Sequence, residues 1–149
     1  MSSSAKRVLI KRVYEQAAPS DGTRVLVDRL WPRGLSKDRA ALDDWLRDLA
    51  PSNELRHWYH SHPEQWSEFR KKYIRELSGP EATEALDHLY RLALVGKPLT
   101  LLFASKNEER NNAVVLKDFL SGLRKPPTGT GPAGARAARH RQAKRMPRG

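Results

Sequence analysis

Three stretches of the chain carry the apolar pattern of β-strands. Residues 8–14 and 24–30 predict the first two, and the turn-forming sequence of residues 19–22 separates them. Residues 98–104 are an almost unbroken apolar run, which is typical of a strand buried on both faces of a sheet. We therefore expect one small sheet with three principal strands.

Helical periodicity begins after the second predicted strand. Apolar residues within 42–49 recur at helical spacing, and the proline at position 51 ends that helix. A short helix over residues 52–60 follows, with Ser52 as its cap. These two segments predict a pair of consecutive helices.

Three longer helices complete the pattern. Residues 61–64, Ser-His-Pro-Glu, predict a capping box that opens a helix over 63–77, and Ser78-Gly79 ends it. Apolar positions from 82 onward predict a further helix that Gly96 terminates. The apolar face of the last helix is formed by Leu116, Phe119, Leu120 and Leu123.

The order of these elements predicts an α/β fold, a small, mostly parallel sheet of three or four strands packed by about five helices. Helices that separate two buried strands imply a right-handed crossover between them. The second and third principal strands should then run parallel, with their carboxyl ends side by side.

Length and charge divide the chain into three parts. Its 149 residues suit one domain, which we place at 7–123 after a flexible segment at 1–6. Residues 124–149 are rich in Pro, Gly and Arg and predict a disordered tail, because they cannot bury enough apolar surface to offset their ordering entropy. The formal net charge is +11, but the first 123 residues hold 20 basic and 17 acidic residues. The positive charge therefore belongs mainly to the tail.

The tail carries eight basic residues and no acidic ones. Such a segment can contact nucleic-acid phosphates without reading bases, although a solvated solubility or localisation appendage would have the same composition. The candidate phosphate-contacting residues are Arg136, Arg139, Arg141, Lys144, Arg145 and Arg148.

Several classes of function are excluded or disfavoured by residues that the sequence lacks. Without cysteine there is no disulfide, no thiolate zinc site and no thiol nucleophile. The common nucleotide-binding, hydrolase and zinc-peptidase motifs are absent, and we predict no cofactor. No apolar run is long enough for a membrane span and no signal-peptide core opens the chain, so a cytoplasmic protein without membrane contact is expected.

The strongest chemical signal follows the second strand. Asp28, Arg29, Trp31 and Arg33 come where a solvated turn would normally close the strand. A second polar group follows the third strand, and its members are Ser105, Lys106, Asn107, Asn111 and Asn112. Because ligands of open α/β sheets bind at the carboxyl ends of the strands, we expect these two groups to form one site.

This combination suits a small anionic or nucleotide-like ligand, since arginine forms bidentate contacts to anions and tryptophan offers a stacking face. The candidate ligand-binding residues are Arg29, Trp31, Arg33, Lys106, Asn111 and Asn112, and Asp28 is the candidate catalytic residue.

A purely structural interpretation carries about equal weight. Asp28 can pair with Arg29 or Arg33 to brace the turn, and Trp31 can cover the core. Glu108 and Glu109, placed in the first turn of the last helix, argue against a phosphate at that helix end.

Three histidines form a second cluster. His57 and His60 are one helical turn apart, a spacing that can bring two imidazoles to one metal, and His62 lies beyond the expected helix break. Packing or solvated histidines are the commoner outcome of such a pattern, so we predict no metal. A general acid or base role for one of them also stays open.

Several short motifs recur together in a known family. They are LVDRLWPRGL at 26–35, LAPS at 49–52, LTLLFASK at 99–106 and NNAVVL at 111–116. In these motifs the chain resembles the YeaO-like branch of domain-of-unknown-function family 488, over roughly residues 7–123.

The resemblance implies an α/β domain in a cytoplasmic bacterial protein. The shared site that it implies contains Asp28, Arg29, Pro32, Arg33, Asn111 and Asn112. Other branches of the family carry a cysteine at the position of Phe103 and a Cys-His-Arg run at 111–113. Any thiol or metal chemistry of those relatives is missing from this chain.

These observations leave three functions open. The first is a domain that binds a small anionic or nucleotide-like ligand, with or without catalysis. The second is a nucleic-acid-associated protein that uses its basic tail. The third, with less behind it, is a partner-binding module anchored by Trp58 and Tyr59.

Overall fold

In the computed structural model, residues 7–127 are described, and they contain a four-stranded parallel sheet. The strands are β1 (Val8–Arg12), β2 (Thr23–Leu26), β3 (Asp44–Trp45) and β4 (Leu99–Phe103), in the order β1-β4-β2-β3. The second and third principal strands, β2 and β4, run parallel as predicted. The predicted flexible segment at 1–6 lies outside the described residues, as does the predicted disordered tail at 124–149 except for residues 124–127. The six candidate phosphate-contacting residues of the tail also lie outside them.

Five helices accompany the sheet. They are α1 (Lys37–Ala40), α2 (Asn53–Ser61), α3 (Trp66–Leu77), α4 (Pro80–Ala93) and α5 (Asn112–Gly122). None of the helices in residues 7–127 is long and apolar enough to span a bilayer. The parallel sheet and the helices confirm the predicted α/β fold class.

Alternation along the strands builds one large hydrophobic core on the first face of the sheet. The strand residues on this face are Val8, Val25, Val27, Leu99, Leu101 and Phe103. Helices α2 to α5 cover them with buried leucines, alanines and aromatic residues. Each fully buried leucine contributes about 1.5–3 kcal/mol relative to an exposed one, so this layer supplies most of the hydrophobic stabilisation.

The second face carries a smaller core. Leu26 and Leu102 from the central strands pack with Trp45 of β3, and Leu35 and Ala40 from the segment around α1 lie over them. This segment follows the carboxyl end of β2 in the chain. Its packing therefore holds the residues just after β2 close to the sheet.

The predicted helix over residues 42–49 is wrong. Asp44 and Trp45 instead form β3 at the edge of the sheet, and a 3-10 turn over Arg47–Leu49 follows. The pairing with β2 supplies the backbone hydrogen bonds, including Leu46 N to Leu26 O at 3.0 Å. Trp45 then packs on the second face of the sheet and Leu46 on the first, which is the alternation of a strand. The apolar residues within 42–49 nevertheless recur at the spacing of a helix.

The capping box predicted at residues 61–64 is also wrong. Ser61 still belongs to α2, which Ser52 caps as predicted by accepting from Leu55 N at 3.1 Å. His62 Nδ1 lies 2.8 Å from Trp58 O at the end of α2, and α3 begins only at Trp66. The end of α3 at Ser78 is confirmed.

A buried arginine ties α1 to the sheet. The guanidinium of Arg24 on β2 donates to Ala40 O at 2.7 Å and to Ala41 O at 3.0 Å, and it pairs with Asp21 at 2.6 Å. Ala41 has a φ of 48°, in the left-handed region that is uncommon for residues other than glycine. The contacts of Arg24 therefore hold Ala41, the residue that ends α1, in a conformation that alanine does not favour.

Asp21 also binds a second cation. Lys11 Nζ lies 3.1 Å from its carboxylate, and Ala18 N donates to it at 3.0 Å. Burial alone would raise the pKa of Asp21, but these hydrogen bonds and that from Arg24 outweigh burial and lower the pKa below its ordinary value. The carboxyl group is therefore kept ionised between its two cations.

Gly22 is required where the chain enters β2. Its φ is 66°, and a Cβ at this position would lie 2.1 Å from Pro98 O. We expect Gly22→Ala to lower the free energy of unfolding by more than about 2 kcal/mol, since backbone strain and a backbone clash act together. Urea unfolding followed by circular dichroism measures the loss.

Gly34→Ala is the matched control for this prediction. Gly34 also has a positive φ, 75°, but a Cβ there would meet no atom within 4 Å. Its substitution should cost about 1 kcal/mol, from backbone strain alone. Equal losses for the two variants would show that the contact with Pro98 is not what requires glycine at position 22.

Candidate functional site

The side chain of Asp28 joins the carboxyl ends of β2 and β4 to the start of α5. Its Oδ2 accepts from Ala104 N at 2.9 Å, and its Oδ1 accepts from Asn112 Nδ2 at 3.1 Å. The same amide group of Asn112 donates to Val27 O at 3.0 Å. Of the two predicted polar groups, Asp28 and Asn112 therefore contact each other directly.

Two opposing effects act on the ionisation of Asp28. Removal from water raises the pKa of its carboxyl group above the ordinary value. The hydrogen bonds from Ala104 N and Asn112 Nδ2, with the positive charge of Arg56, lower the pKa without cancelling that effect. Both donors require an accepting oxygen, so the ionised carboxylate is the form that fits these contacts.

Arg29 lies beside Asp28 but contacts the loop between β3 and α2. Its guanidinium donates weakly to Pro51 O at 3.3 Å and to Ala50 O at 3.4 Å. The hydroxyl of Tyr73, which is fully buried, donates to Leu49 O in the same loop. Burial raises the pKa of Tyr73 well above its ordinary value, so the phenol stays a donor. Arg29 thus rests on neutral carbonyl groups by long contacts.

Asn111 and the loop before it shape the start of α5. Asn111 Oδ1 accepts from Val114 N at 3.0 Å as the helix cap, and its amide donates to Asn107 O at 2.8 Å. Because α5 starts only after Asn111, Glu108 and Glu109 lie in the preceding loop. Their predicted place in the first turn of the helix is therefore wrong, and they do not complement its dipole there.

Trp31 is part of the smaller core. Its Nε1 donates to Leu35 O at 2.7 Å, and its ring packs edge-on against Trp45 with ring centroids 5.4 Å apart. The indole of Trp45 in turn donates to Asp28 O at 2.7 Å. Trp31 therefore covers the core and supports the backbone of the site.

The remaining two predicted ligand-binding residues are exposed. The side chains of Arg33 and Lys106 point into solvent, and the backbone carbonyl of Arg33 accepts from the Tyr14 hydroxyl at 2.8 Å. The structure thus brings Asp28, Arg29 and Asn112 together and leaves these two at the periphery.

A family model and similar proteins agree on the family of this chain. The model of a family described as the inactive DUF488-N3 subclade matches residues 7–129. The chain belongs to this DUF488 subclade. It is 46% identical over 115 residues to the uncharacterized protein YeaO of Escherichia coli K12, covering 76% of this chain and 96% of YeaO. It is 44% identical over 116 residues to the uncharacterized protein Rv3073c of Mycobacterium tuberculosis H37Rv, covering 78% and 95%. No solved structure matches it.

Two further arginines of this DUF488 domain reach the same end of the sheet, and the sequence reasoning missed them. The charge of Arg56, on α2, acts on Asp28. Arg12, at the end of β1, donates to Ser105 O at 2.9 Å and Ala104 O at 3.0 Å. The position of Arg12 near the end of the first strand was the one signal that could have identified it. Arg56 could not have been identified, because nothing in the sequence places α2 beside Asp28.

We call five residues at this end of the sheet the strand-end site. They are Arg12, Asp28, Arg29, Arg56 and Asn112.

The three histidines of the predicted second cluster are not part of the strand-end site. His57 and His60 are exposed on α2, and His62 lies at the end of that helix. Residues 7–127 contain no group of three or more His, Cys, Asp or Glu residues that could hold a metal ion.

The role of Asp28 as a double acceptor can be tested by an isosteric substitution. Asp28→Asn presents an amide donor to either Ala104 N or Asn112 Nδ2, so one buried contact becomes donor against donor. We expect the free energy of unfolding at pH 7 to fall by about 1–3 kcal/mol, as measured by urea unfolding.

Asp118→Asn provides the control, because Asp118 makes only an exposed ion pair with Arg70 at 3.7 Å. That variant should lose no more than about 0.5 kcal/mol. A variant at position 28 as stable as the wild type would show that the carboxylate is not needed to join the three segments.

Proposed function

We propose that this domain binds a small anion at the strand-end site and holds it without a chemical step. The proposal rests mainly on one observation. Arg12 ends β1, Arg29 follows β2, and the charge of Arg56 acts on Asp28; within residues 7–127 the side chains of these arginines donate to carbonyl or amide oxygens.

The charges of these arginines are poorly compensated. The one carboxylate among them, Asp28, accepts from Ala104 N and Asn112 Nδ2 and forms no ion pair with an arginine in the described part of the chain. Elsewhere the buried cation Arg24 is matched by Asp21 at 2.6 Å. Three guanidinium groups held by neutral oxygens favour a carboxylate or phosphate group, which arginine binds through two parallel hydrogen bonds.

Three features favour binding over catalysis. Both carboxylate oxygens of Asp28 already accept hydrogen bonds that join the fold together. The chain has no cysteine to act as a nucleophile. The family to which it belongs is described as an inactive subclade.

The fold also narrows the class of ligand. A nucleotide-like ligand was expected to stack on Trp31, but that ring packs against Trp45 and its Nε1 donates to Leu35 O. Trp31 therefore no longer supports the stacking of a nucleotide base at this site. A small phosphorylated or carboxylated molecule remains the best-supported ligand.

Titration with inorganic phosphate, pyrophosphate and citrate tests the proposal. Two-dimensional NMR of the ¹⁵N-labelled protein should show shifts at Ala104 and Asn112, and affinity should fall with added salt. Arg29→Gln and Arg56→Gln should each weaken binding about tenfold, the loss expected for one charge-assisted contact. Unchanged spectra in all three titrations would overturn the proposal.

Arg70→Gln is the control for these variants. Arg70 lies on α3 and makes an exposed ion pair with Asp118 at 3.7 Å. This substitution removes the same charge elsewhere and should leave anion affinity unchanged. An equal loss in all three variants would indicate a general effect of net charge and argue against a specific site.

The basic tail favours nucleic-acid association as a second function. Its eight cations without a carboxylate suit nonspecific phosphate contacts, and six of them lie in residues 126–149. Removal of residues 126–149 should lower affinity for a DNA or RNA duplex at least about tenfold at low salt and flatten the salt dependence. Fluorescence anisotropy measures both, and affinity that survives truncation would contradict a mechanism driven by the tail.

A further inference from the structure

A groove of about 310 Å³ lies between α2 and α3, apart from the strand-end site. This volume is at the lower end of small-molecule sites, which span ~300–1,000 Å³. Glu54 and Trp58 line it from α2, whereas Arg56 lies between them in sequence and therefore on a different face of that helix. The groove and the strand-end site thus use different sides of α2.

The floor of the groove is fixed by hydrogen bonds. Glu76 accepts from Ser52 N at 2.9 Å and from Ser52 Oγ at 2.6 Å, and Leu55 N donates to the same hydroxyl at 3.1 Å. Leu55 is buried beneath. The carboxylate of Glu76 is therefore committed to joining the two helices.

The charges on the two walls are opposite and unpaired. Lys72 and Arg75 line the groove from α3, and Glu54 lines it from α2. Among residues 7–127, none of these three side chains forms a recorded ion pair, although each has an opposite charge across the groove. The walls therefore hold a carboxylate and two cations that form no ion pair with one another across the groove.

An aromatic ring lines the same groove, beside Lys72. The indole of Trp58 is half-buried, with Lys72 Nζ 5.2 Å from its ring centroid and the His62 ring stacked at 5.2 Å. Contacts from two elements keep the ring in place. It offers a rigid apolar surface beside Glu54 and Arg75.

We propose that this groove binds a small zwitterion, an α-amino acid with an apolar side chain. Its carboxylate would lie against Arg75 and Lys72, its ammonium group against Glu54, and its side chain against Trp58. Such a ligand bridges the separated charges, which neither a simple anion nor a simple amine can do.

Three related compounds test this site in the 149-residue chain. They are L-leucine, 4-methylpentanoate, which lacks the ammonium group, and 3-methylbutylamine, which lacks the carboxylate. The readout is the indole N–H signal of Trp58 in ¹⁵N NMR, assigned with a Trp58→Phe variant. Leucine should bind at least about tenfold more tightly than either analogue, because only leucine satisfies both walls.

Substitutions then assign the two walls. Glu54→Gln and Arg75→Gln should each weaken leucine binding about fivefold, the effect of one partly exposed charge pair. Lys71→Gln, which removes an exposed cation paired with Glu68 on the same helix, should change nothing. Arg56→Gln should also leave leucine binding intact, which separates this groove from the strand-end site.

Two results would overturn the proposal. One is equal binding of leucine and either analogue, since it would leave one wall without a role. The other is no shift of the Trp58 signal with leucine up to ~50 mM, a concentration that detects even very weak binding.

Discussion

The carboxylate of Asp28 is the contact on which the arrangement of this end of the domain depends. Its two oxygens accept from Ala104 N and Asn112 Nδ2, so β2, β4 and α5 are held at one point. Parallel strands have no short connection that could align their ends, and the crossover between β2 and β4 is long. The hydrogen bond from Ala104 N to the Asp28 side chain therefore aligns the ends of β2 and β4, which the long crossover does not align.

The same contact leaves the neighbouring arginines without a carboxylate partner in the described part of the chain. Asp28 accepts from two neutral donors, Ala104 N and Asn112 Nδ2, and in the described part of the chain it forms no ion pair with Arg29 or Arg56, although the charge of Arg56 lowers its pKa. The arginines instead rest on neutral oxygens, Arg29 on Pro51 O and Arg56 on Asn53 Oδ1. One interaction thus stabilises the fold and leaves positive charge open at the ends of the strands.

The sequence was most informative where local pattern and tertiary contact agree. The apolar run at 98–104 predicted a buried central strand, and the parallel pairing of β2 with β4 followed from the helices between them. The sequence misled where a two-residue strand had a helix-like spacing, because Asp44 and Trp45 form β3 through hydrogen bonds to a distant strand.

The candidate site was predicted only in part, for a physical reason. Asp28 and Asn112 were identified because they follow the second and third predicted strands, but one partner of Asp28 is a backbone N–H, which no side-chain pattern reveals. Two roles were open for Trp31, stacking on a ligand or covering the core. The structure shows it covering the core, and its packing against Trp45 depends on the same unpredicted edge strand.

Hydrogen exchange at the amide of Ala104 tests the central claim most directly. This amide lies just beyond the end of β4, and its recorded acceptor is the carboxylate of Asp28. Protection comparable to that of Phe103 is predicted in the wild type, with exchange becoming fast in Asp28→Ala while Phe103 stays protected. An amide of Ala104 that already exchanges in the wild type as fast as that of the exposed Lys106 would contradict the account.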